Sequence, residues 1–485
     1  MSTRDLISLS DLVGGIGRLL VSRGRLVPKA LKILGERDAT KRESIGTLLE
    51  RNAIENPTQA AIKYGEREIS HHEFNSWVNR YANYWISIGV KKGDVAAIFM
   101  ENRPELLVAV AALAKIGAIA GMVNTQQRKH VLVHSFTTCK PKLYVIGEEL
   151  REPFEEIRAE LGEIPQECLF YSPDLGERVH GVRVVFPPPR IEDNAPPGYL
   201  DIECASQDSA ATNPKTTKEV QLQDPCFYIF TSGTTGLPKA SIMTHFRWVK
   251  AGGIMGMAAL HLGIDDTLYA PLPLYHNQAL TTSWASTAST GACLAIRRRF
   301  SASSFWEDAR NFNATAFTYI GEVCPYLLAQ PPHDDDRKHT ITRCMGVGMR
   351  PEVWHEFKRR FGIDEIYEFY AASECNIAFI NLLNFDRTVG VCPLPYALVK
   401  FDVDAGEPVL GPDGFMQRIG KGEAGLLLAE VSEKAKFDGY TDPAASEKKL
   451  FRNVFKTGDV WFNSGDLLRD LGFKHAQFVD RVGDT

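Results

Sequence analysis

The chain has 485 residues, of which 44% are hydrophobic and 24% charged, and its net charge is −5. That length exceeds what one hydrophobic core organises and implies two to four subdomains of the usual ~100–200 residues, with the composition of an ordinary soluble protein. A negative balance gives no electrostatic reason to bind nucleic acid, so that class of partner is excluded.

Residues 1–44 stand apart. Up to Leu34 the segment carries Arg4, Arg18, Arg23, Arg25, Lys29 and Lys32 against Asp5 and Asp11, with apolar residues at helical spacing between them. The apolar positions are too interrupted for a secretory signal. A basic amphipathic helix of this kind lies on an anionic membrane surface or packs against the body of its own protein, and the residues leave both readings open. Peripheral membrane contact through residues 1–40, from the cytoplasmic side, is therefore one expectation.

Residues 45–225 read as a first α/β subdomain. Ser70 and Glu73 form a capping box ahead of Phe74, Trp77, Val78, Tyr81, Ala82, Trp85 and Ile86, which predicts a helix with one buried face. A strand follows at 95–100. Asn102-Arg103-Pro104 is expected to cap a helix ending near Gly117, followed by strands at 118–123 and 143–146. Alternating strands and helices imply a parallel sheet covered by helices. The run 106–123 approaches the length of a membrane span, but Lys115 at its centre and its glycines fit a buried helix followed by a strand.

Residues 226–389 read as a second α/β subdomain, with helices over 246–260 and 279–290 and strands over 268–272, 314–320, 343–347 and 366–369. Beyond Gly390 short strands and Gly/Asp turns predict a β-rich subdomain over 390–485. Nine cysteines are scattered singly, without metal spacing, which points to free thiols in a reducing, cytoplasmic compartment and to no zinc site.

The most informative stretch opens the second subdomain. An apolar run at 226–230 has the length of a buried strand and delivers into Thr231-Ser232-Gly233-Thr234-Thr235-Gly236-Leu237-Pro238-Lys239. Gly233 and Gly236 let backbone N–H groups approach a ligand, while four hydroxyls and an ammonium supply further donors, so a polyphosphate is the natural guest. The spacing is not that of a Walker A loop, because the glycines are three apart and Ala240 follows Lys239.

This stretch resembles the phosphate-binding signature of the adenylate-forming enzymes: acyl-CoA synthetases, luciferases and peptide-synthetase adenylation domains. Four further stations are similar to that family in the same chain order. Gly346-Val347-Gly348 resembles its adenine turn. Tyr367 to Glu374 resembles its adenine-and-metal segment, in which Tyr370 offers a stacking face, Ser373 belongs to the nucleotide site, and Glu374 offers a hard oxygen ligand for Mg2+. Ser464-Gly465-Asp466 resembles the ribose-binding Thr/Ser-Gly-Asp, and Asp480-Arg481-Val482-Gly483-Asp484 resembles the ribose arginine and the hinge. Taken singly, Tyr370 could be core, Asp466 a turn residue and Arg481 half of a surface ion pair; their joint register carries the resemblance.

Within the family the likeness is to long- and very-long-chain acyl-CoA synthetases related to fatty-acid transport proteins, on residues 228–245, 273–277, 319–322, 367–374 and 437–449. The resemblance implies a large α/β domain with two helix-flanked, mainly parallel sheets and a smaller β-rich, distorted-barrel subdomain. It implies ATP, Mg2+ and coenzyme A as cofactor and co-substrates, a fatty acid as substrate, and an acyl adenylate formed before the thioester. It assigns Lys239, Thr234 and Glu374 to catalysis, Thr231 through Gly236 with Gly346, Gly348, Tyr370, Asp466 and Arg481 to the nucleotide, and Tyr275, His276, Asn277 and Gly321 to the acyl pocket. His276 read alone is equally a structural histidine. Cys375 stands where the subfamily commonly has Gly, and Ser464 where it commonly has Thr. The family's smaller C-terminal domain would follow hinge residue Asp484, and the chain ends one residue later, so poor turnover is expected of this polypeptide. Fatty-acid uptake without turnover, or ligation of an aryl, bile or β-hydroxy acid, are the competing expectations.

Overall fold

The computed structural model describes residues 6–24, 28, 32–33, 35–36, 38–176, 193–231, 237–371, 377–432, 435, 437 and 443–482. The chain forms two compact units: Lys29–Thr318 with His339–Ile341, and Met1–Pro28 with Tyr319–Lys338 and Thr342–Thr485.

The larger unit contains two mainly parallel sheets, as expected. The first runs Leu200–Asp201, Leu169–Ser172, Leu143–Gly147, Val95–Phe99, Ile119–Met122, Pro225–Thr231 and Lys239–Thr244 in spatial order. Every neighbouring pair is parallel except the last, where Lys239–Thr244 folds back on Pro225–Thr231. The second runs Arg67–Ser70, Ala60–Tyr64, Cys293–Ile296, Thr267–Ala270 and Ala316–Ile320, again parallel apart from its terminal hairpin. Strands such as Ile119–Met122 and Cys293–Ile296 are buried at every position. Helices on both faces remove the solvent side, and apolar runs without alternation are the result.

Local sequence explains the helices. The Ser70/Glu73 box is made in both directions at the start of His71–Ser87, and the predicted apolar face from Phe74 to Trp85 is buried. Pro104–Ile116 is buried at all thirteen positions and ends at Gly117 with φ +81. Its Lys115 is fully enclosed but paired: Nζ donates to Glu50 at 3.1 Å, Asn75 and Asn79 at 2.7 Å each, and Asn213 at 3.1 Å. Burial pulls the ammonium down to about 8, opposed by the Glu50 carboxylate. Protein partners thus accommodate the cation that marked 106–123 as no lipid span, and no helix among the described residues is long and apolar enough to cross a membrane.

Four features were not read from the sequence. Arg103, not Asn102, is the N-cap of Pro104–Ile116 and makes no side-chain cap bond. Between the glycine loop and the helix expected from 246 lies a strand that was not read, Lys239–Thr244. The hairpin Ala60–Tyr64/Arg67–Ser70 and the strands Leu169–Ser172 and Leu200–Asp201 were not legible. The helices over 246–260 and 279–290 each contain a π segment, Gly253–Ala259 and Gln278–Ser283. Small residues let these two helices nearly touch. A Cβ on Gly252 would lie 2.3 Å from the Ala285 carbonyl, and one on Gly256 would lie 2.7 Å from that of Ser286.

The smaller unit is built on Arg343–Val347, parallel to Glu365–Ala371. Antiparallel partners continue the sheet through Ala378–Ile380, Gly390–Val391, His475–Arg481, Val460–Gly472, Ala424–Glu430 and Tyr396–Val399. This is the β-rich region expected beyond Gly390, and Phe379, Leu427, Phe462 and Leu468 form its core. Eight cysteines are described, and all are free thiols.

Candidate functional site

In the larger unit Thr231 and Lys239 are partners across the antiparallel pair Pro225–Thr231 and Lys239–Thr244. Ser232, Gly233, Thr234, Thr235 and Gly236 lie outside the described residues. What surrounds them is well held. Thr231 Oγ1 donates to the Lys239 carbonyl at 3.5 Å, and the Pro238 carbonyl lies 2.9 Å from His134 Nε2 on the helix Lys129–Cys139. Lys239 is the first residue of its strand.

Tyr275, His276 and Asn277 follow a turn fixed by a residue far away in sequence. Asn102 Nδ2 donates to the carbonyls of Leu272 at 2.8 Å and Arg297 at 3.1 Å, while its Oδ1 accepts from Leu274 N–H at 2.7 Å. The rings of Tyr275 and His276 lie 4.4 Å apart, and burial lowers the His276 pKa, which favours the neutral imidazole. Asn102→Ala removes all three bonds and leaves buried backbone groups without them. We expect a loss of about 2–4 kcal/mol, read from urea midpoints, because each stranded polar group costs about 1–3 kcal/mol.

The smaller unit contains the glycine turn. Arg343–Val347 ends at Val347, and Gly348 has φ +82, a left-handed conformation that suits glycine. A Cβ on Gly346 would meet the Tyr319 carbonyl at 2.4 Å, and one on Gly321 would meet the Gly348 carbonyl at 2.3 Å. Gly321, expected in the acyl pocket, is thus packed against Gly348. Below the turn Glu368 is buried. Its Oε1 accepts from Met349 N–H at 3.0 Å, and its Oε2 bonds the Tyr319 hydroxyl.

Burial pushes the Glu368 carboxyl up to about 8, against the lowering effect of its hydrogen bonds to Tyr319, Met349 and Gly348. The folded state therefore holds a proton that the unfolded chain releases near 4.5. Stability from this group is complete below that value and declines as pH rises toward 8, by at most about 1.4 kcal/mol per unit. Urea midpoints between pH 5 and 8.5 should show this fall, and Glu368→Gln should flatten it.

Tyr370, Asp466 and Arg481 are brought together in this unit. The Tyr370 hydroxyl donates to Asp466 Oδ2 at 2.5 Å, and Arg481 Nε is 3.8 Å from Asp466 Oδ1. Asp466 and Arg481 are paired across Val460–Gly472 and His475–Arg481, which sets their proximity by sheet register. The Tyr370 ring is stacked on Phe478 at 6.4 Å, leaning 23°. Ser464 Oγ donates to the Leu427 carbonyl at 2.8 Å and accepts from Asp466 N–H at 3.1 Å, so its hydroxyl positions the aspartate backbone and serine suffices. Gly346 pairs with Glu368 in the parallel register, which places the turn and Tyr370 near the carboxyl ends of neighbouring strands, where open α/β sheets bind ligands. Ser373, Glu374 and Asp484 lie outside the described residues. Among the described residues no group of three or more His, Cys, Asp or Glu could hold a metal.

Sequence reasoning gave no individual site role to Glu368, Tyr319, His134 or Asn102, although 319–322 and 367–374 carry the resemblance. One signal existed: Glu368 interrupts an aromatic strand two residues before Tyr370 and so shares its face. The other partners are separated from their targets by 49 to 195 residues, which no local pattern reports.

A family model described as AMP-binding enzyme matches residues 49–423. The chain is 42% identical over 479 residues to the medium/long-chain-fatty-acid–CoA ligase FadD6 of Mycobacterium tuberculosis, covering 99% of this chain and 75% of that protein. It is 37% identical to long-chain fatty acid transport protein 2 of Rattus norvegicus, covering 82% of this chain and 62% of that one. Among solved structures it is similar to the anthranilate CoA ligase AuaEII in complex with anthranoyl-AMP (TM-score 0.73, 19% identity, 91% of this chain and 78% of that one). It is also similar to the N-terminal domain of FACL13 from Mycobacterium tuberculosis (TM-score 0.70, 20% identity, 90% and 100%).

Proposed function

The chain belongs to the AMP-binding enzyme family, and on that premise we infer that it is an ATP-dependent ligase joining a long-chain fatty acid to coenzyme A. The observation carrying this reading is the Tyr370–Asp466–Arg481 arrangement, an aromatic ring and a charge pair held in register beside a glycine turn too tight for any other residue. The fatty acid as substrate is supported by the similarity to the Mycobacterium tuberculosis ligase over nearly the whole chain.

In this reading the loop 232–236 and Lys239 receive the triphosphate, the turn at Gly346 and Gly348 with Tyr370 receives adenine, and Asp466 with Arg481 receives the ribose hydroxyls. The fatty carboxylate attacks the α-phosphorus, the bond to pyrophosphate breaks, and the resulting mixed anhydride acylates the coenzyme A thiol with release of AMP. Lys239 and the loop amides act on charge that shifts onto the leaving oxygens, which is where preorganised donors lower a barrier most. Glu374 and water would hold Mg2+, a hard cation that neutralises phosphate charge when bound. Tyr275, His276 and Asn277 line the acyl entrance, and the neutral imidazole favoured by burial suits an apolar chain. The enzyme works on the cytoplasmic side, in peripheral contact with a membrane through its N-terminal segment, where long-chain carboxylates partition.

The test is calorimetry with MgATP, followed by pyrophosphate release across fatty acids of graded length beside benzoate and a bile acid. Saturable ATP binding with release that depends on long-chain acid is expected. No heat of binding from the folded protein would sink the reading, and release with aryl or bile acids alone would move it to another carboxylate. The uptake alternative, supported by the fatty acid transport protein relatives, requires fatty-acid binding with no adenylate formed.

A further inference from the structure

The N-terminal helix Leu9–Arg23 carries a feature unlike the scattered apolar residues found on any protein surface. Leu9, Val13, Ile16 and Leu20 are 63%, 63%, 43% and 54% exposed. Their spacing of i, i+4, i+7 and i+11 aligns them along one stripe. The helix cannot roll to bury that stripe, because another face is already seated. Gly15 is buried so closely that a Cβ there would lie 2.8 Å from the Phe385 ring, and Ile7 N–H donates to the Leu471 carbonyl at 3.0 Å. A capping box between Ser8 and Asp11 fixes the first turn. The first 34 residues hold six basic and two acidic side chains in a chain whose net charge is −5, so a positive excess accompanies the stripe.

We propose that Leu9, Val13, Ile16 and Leu20 form a fixed membrane-docking face that seats the smaller unit on an anionic lipid surface. This rests on the peripheral-membrane reading above and is independent of the adenylation chemistry. Aliphatic side chains enter the boundary between headgroups and acyl chains, while the basic excess of the N-terminal sequence selects anionic headgroups. Headgroup charge, not a single lipid species, is what the segment recognises.

The experiment is co-sedimentation of the full chain with vesicles of phosphatidylcholine alone or with one-fifth phosphatidylglycerol. It compares the wild type, Ile16→Asp/Leu20→Asp and, as a control, Ile54→Asp, which alters another exposed aliphatic residue in the larger unit. The wild type should bind the anionic vesicles at least tenfold better than the neutral ones, and 0.5 M salt should release it because surface charges are then screened. The double variant should lose at least tenfold in binding while its thermal midpoint and MgATP affinity stay unchanged, and Ile54→Asp should bind as the wild type does. If the double variant binds normally, the docking face is overturned while peripheral contact survives. If the wild type binds no vesicle, both are overturned. A solution dimer that the double variant dissociates, without vesicle binding, would assign the stripe to a second copy of the chain instead.

Discussion

Lys239→Ala is expected to lower kcat/KM for fatty-acid-dependent pyrophosphate release by 10²–10³-fold, and Asp466→Ala to weaken MgATP binding by roughly 10–100-fold. The two effects separate because the groups act at different moments. Lys239 starts the strand that follows the stretch proposed to hold the phosphates, and its neighbours Thr231 and Pro238 are tied down by hydrogen bonds. A fixed donor aimed at developing charge is worth about 2.7–4 kcal/mol in the transition state and much less in the ground state. Asp466 would act on the ribose, which does not change during the reaction, so its loss falls on binding. A hydrogen bond to a charged group contributes about 1.5–3 kcal/mol, which converts to that affinity range. Removing the carboxylate also takes away the acceptor of the Tyr370 hydroxyl and the negative charge beside Arg481. Asp466→Asn, which keeps an acceptor for Tyr370, should lose less. Calorimetry and a coupled pyrophosphate assay read the two quantities, and unchanged values in both variants would overturn the nucleotide assignment.

Gly346→Ala should nearly abolish nucleotide binding and destabilise the smaller unit by a few kcal/mol. The added methyl would sit 2.4 Å from the Tyr319 carbonyl and 2.5 Å from its ring, distances that real side chains do not adopt, so the strand end must move. Overpacking of this kind costs about 1–3 kcal/mol even where a core can yield, and here the obstacle is partly backbone. Movement would also disturb Glu368, which pairs with Gly346 in register and holds the N–H of Met349. Gly406→Ala is the control for adding a methyl to a glycine of the same unit where the methyl meets nothing. Gly406 has φ +70 in the same unit, but nothing lies within 4 Å of a Cβ there. It should lose only about 1 kcal/mol and leave MgATP affinity alone. Urea midpoints and calorimetry on both variants decide the point, and equal affinity losses would refute a specific role for the turn.

Much of this protein was legible in its sequence, because the relevant physics is short-ranged. Capping boxes at Ser70, the 3.6-residue period from Phe74 to Trp85, and the Pro104 and Gly117 punctuation specify helices through neighbours within one or two turns. The stretch 231–239 and the stations at Gly346, Tyr370, Asp466 and Arg481 likewise made the family legible, since spacing and residue type there resemble its motifs. What only the tertiary structure decided involves groups remote in the chain. Asn102, which looked like a cap, instead holds the turn before Tyr275 across 170 residues. Glu368 is the buried acid beneath the glycine turn only because Tyr319 arrives from another strand. Gly321 needs to be a glycine because a Cβ there would lie 2.3 Å from the Gly348 carbonyl, and Gly348 suits glycine because its φ is +82. The apolar spacing of the first helix was readable, but which stripe stays exposed depended on Gly15 meeting Phe385, 370 residues away. Periodicity specifies what a segment is; burial, close approach and the pairing of distant polar groups exist only after the segments have met.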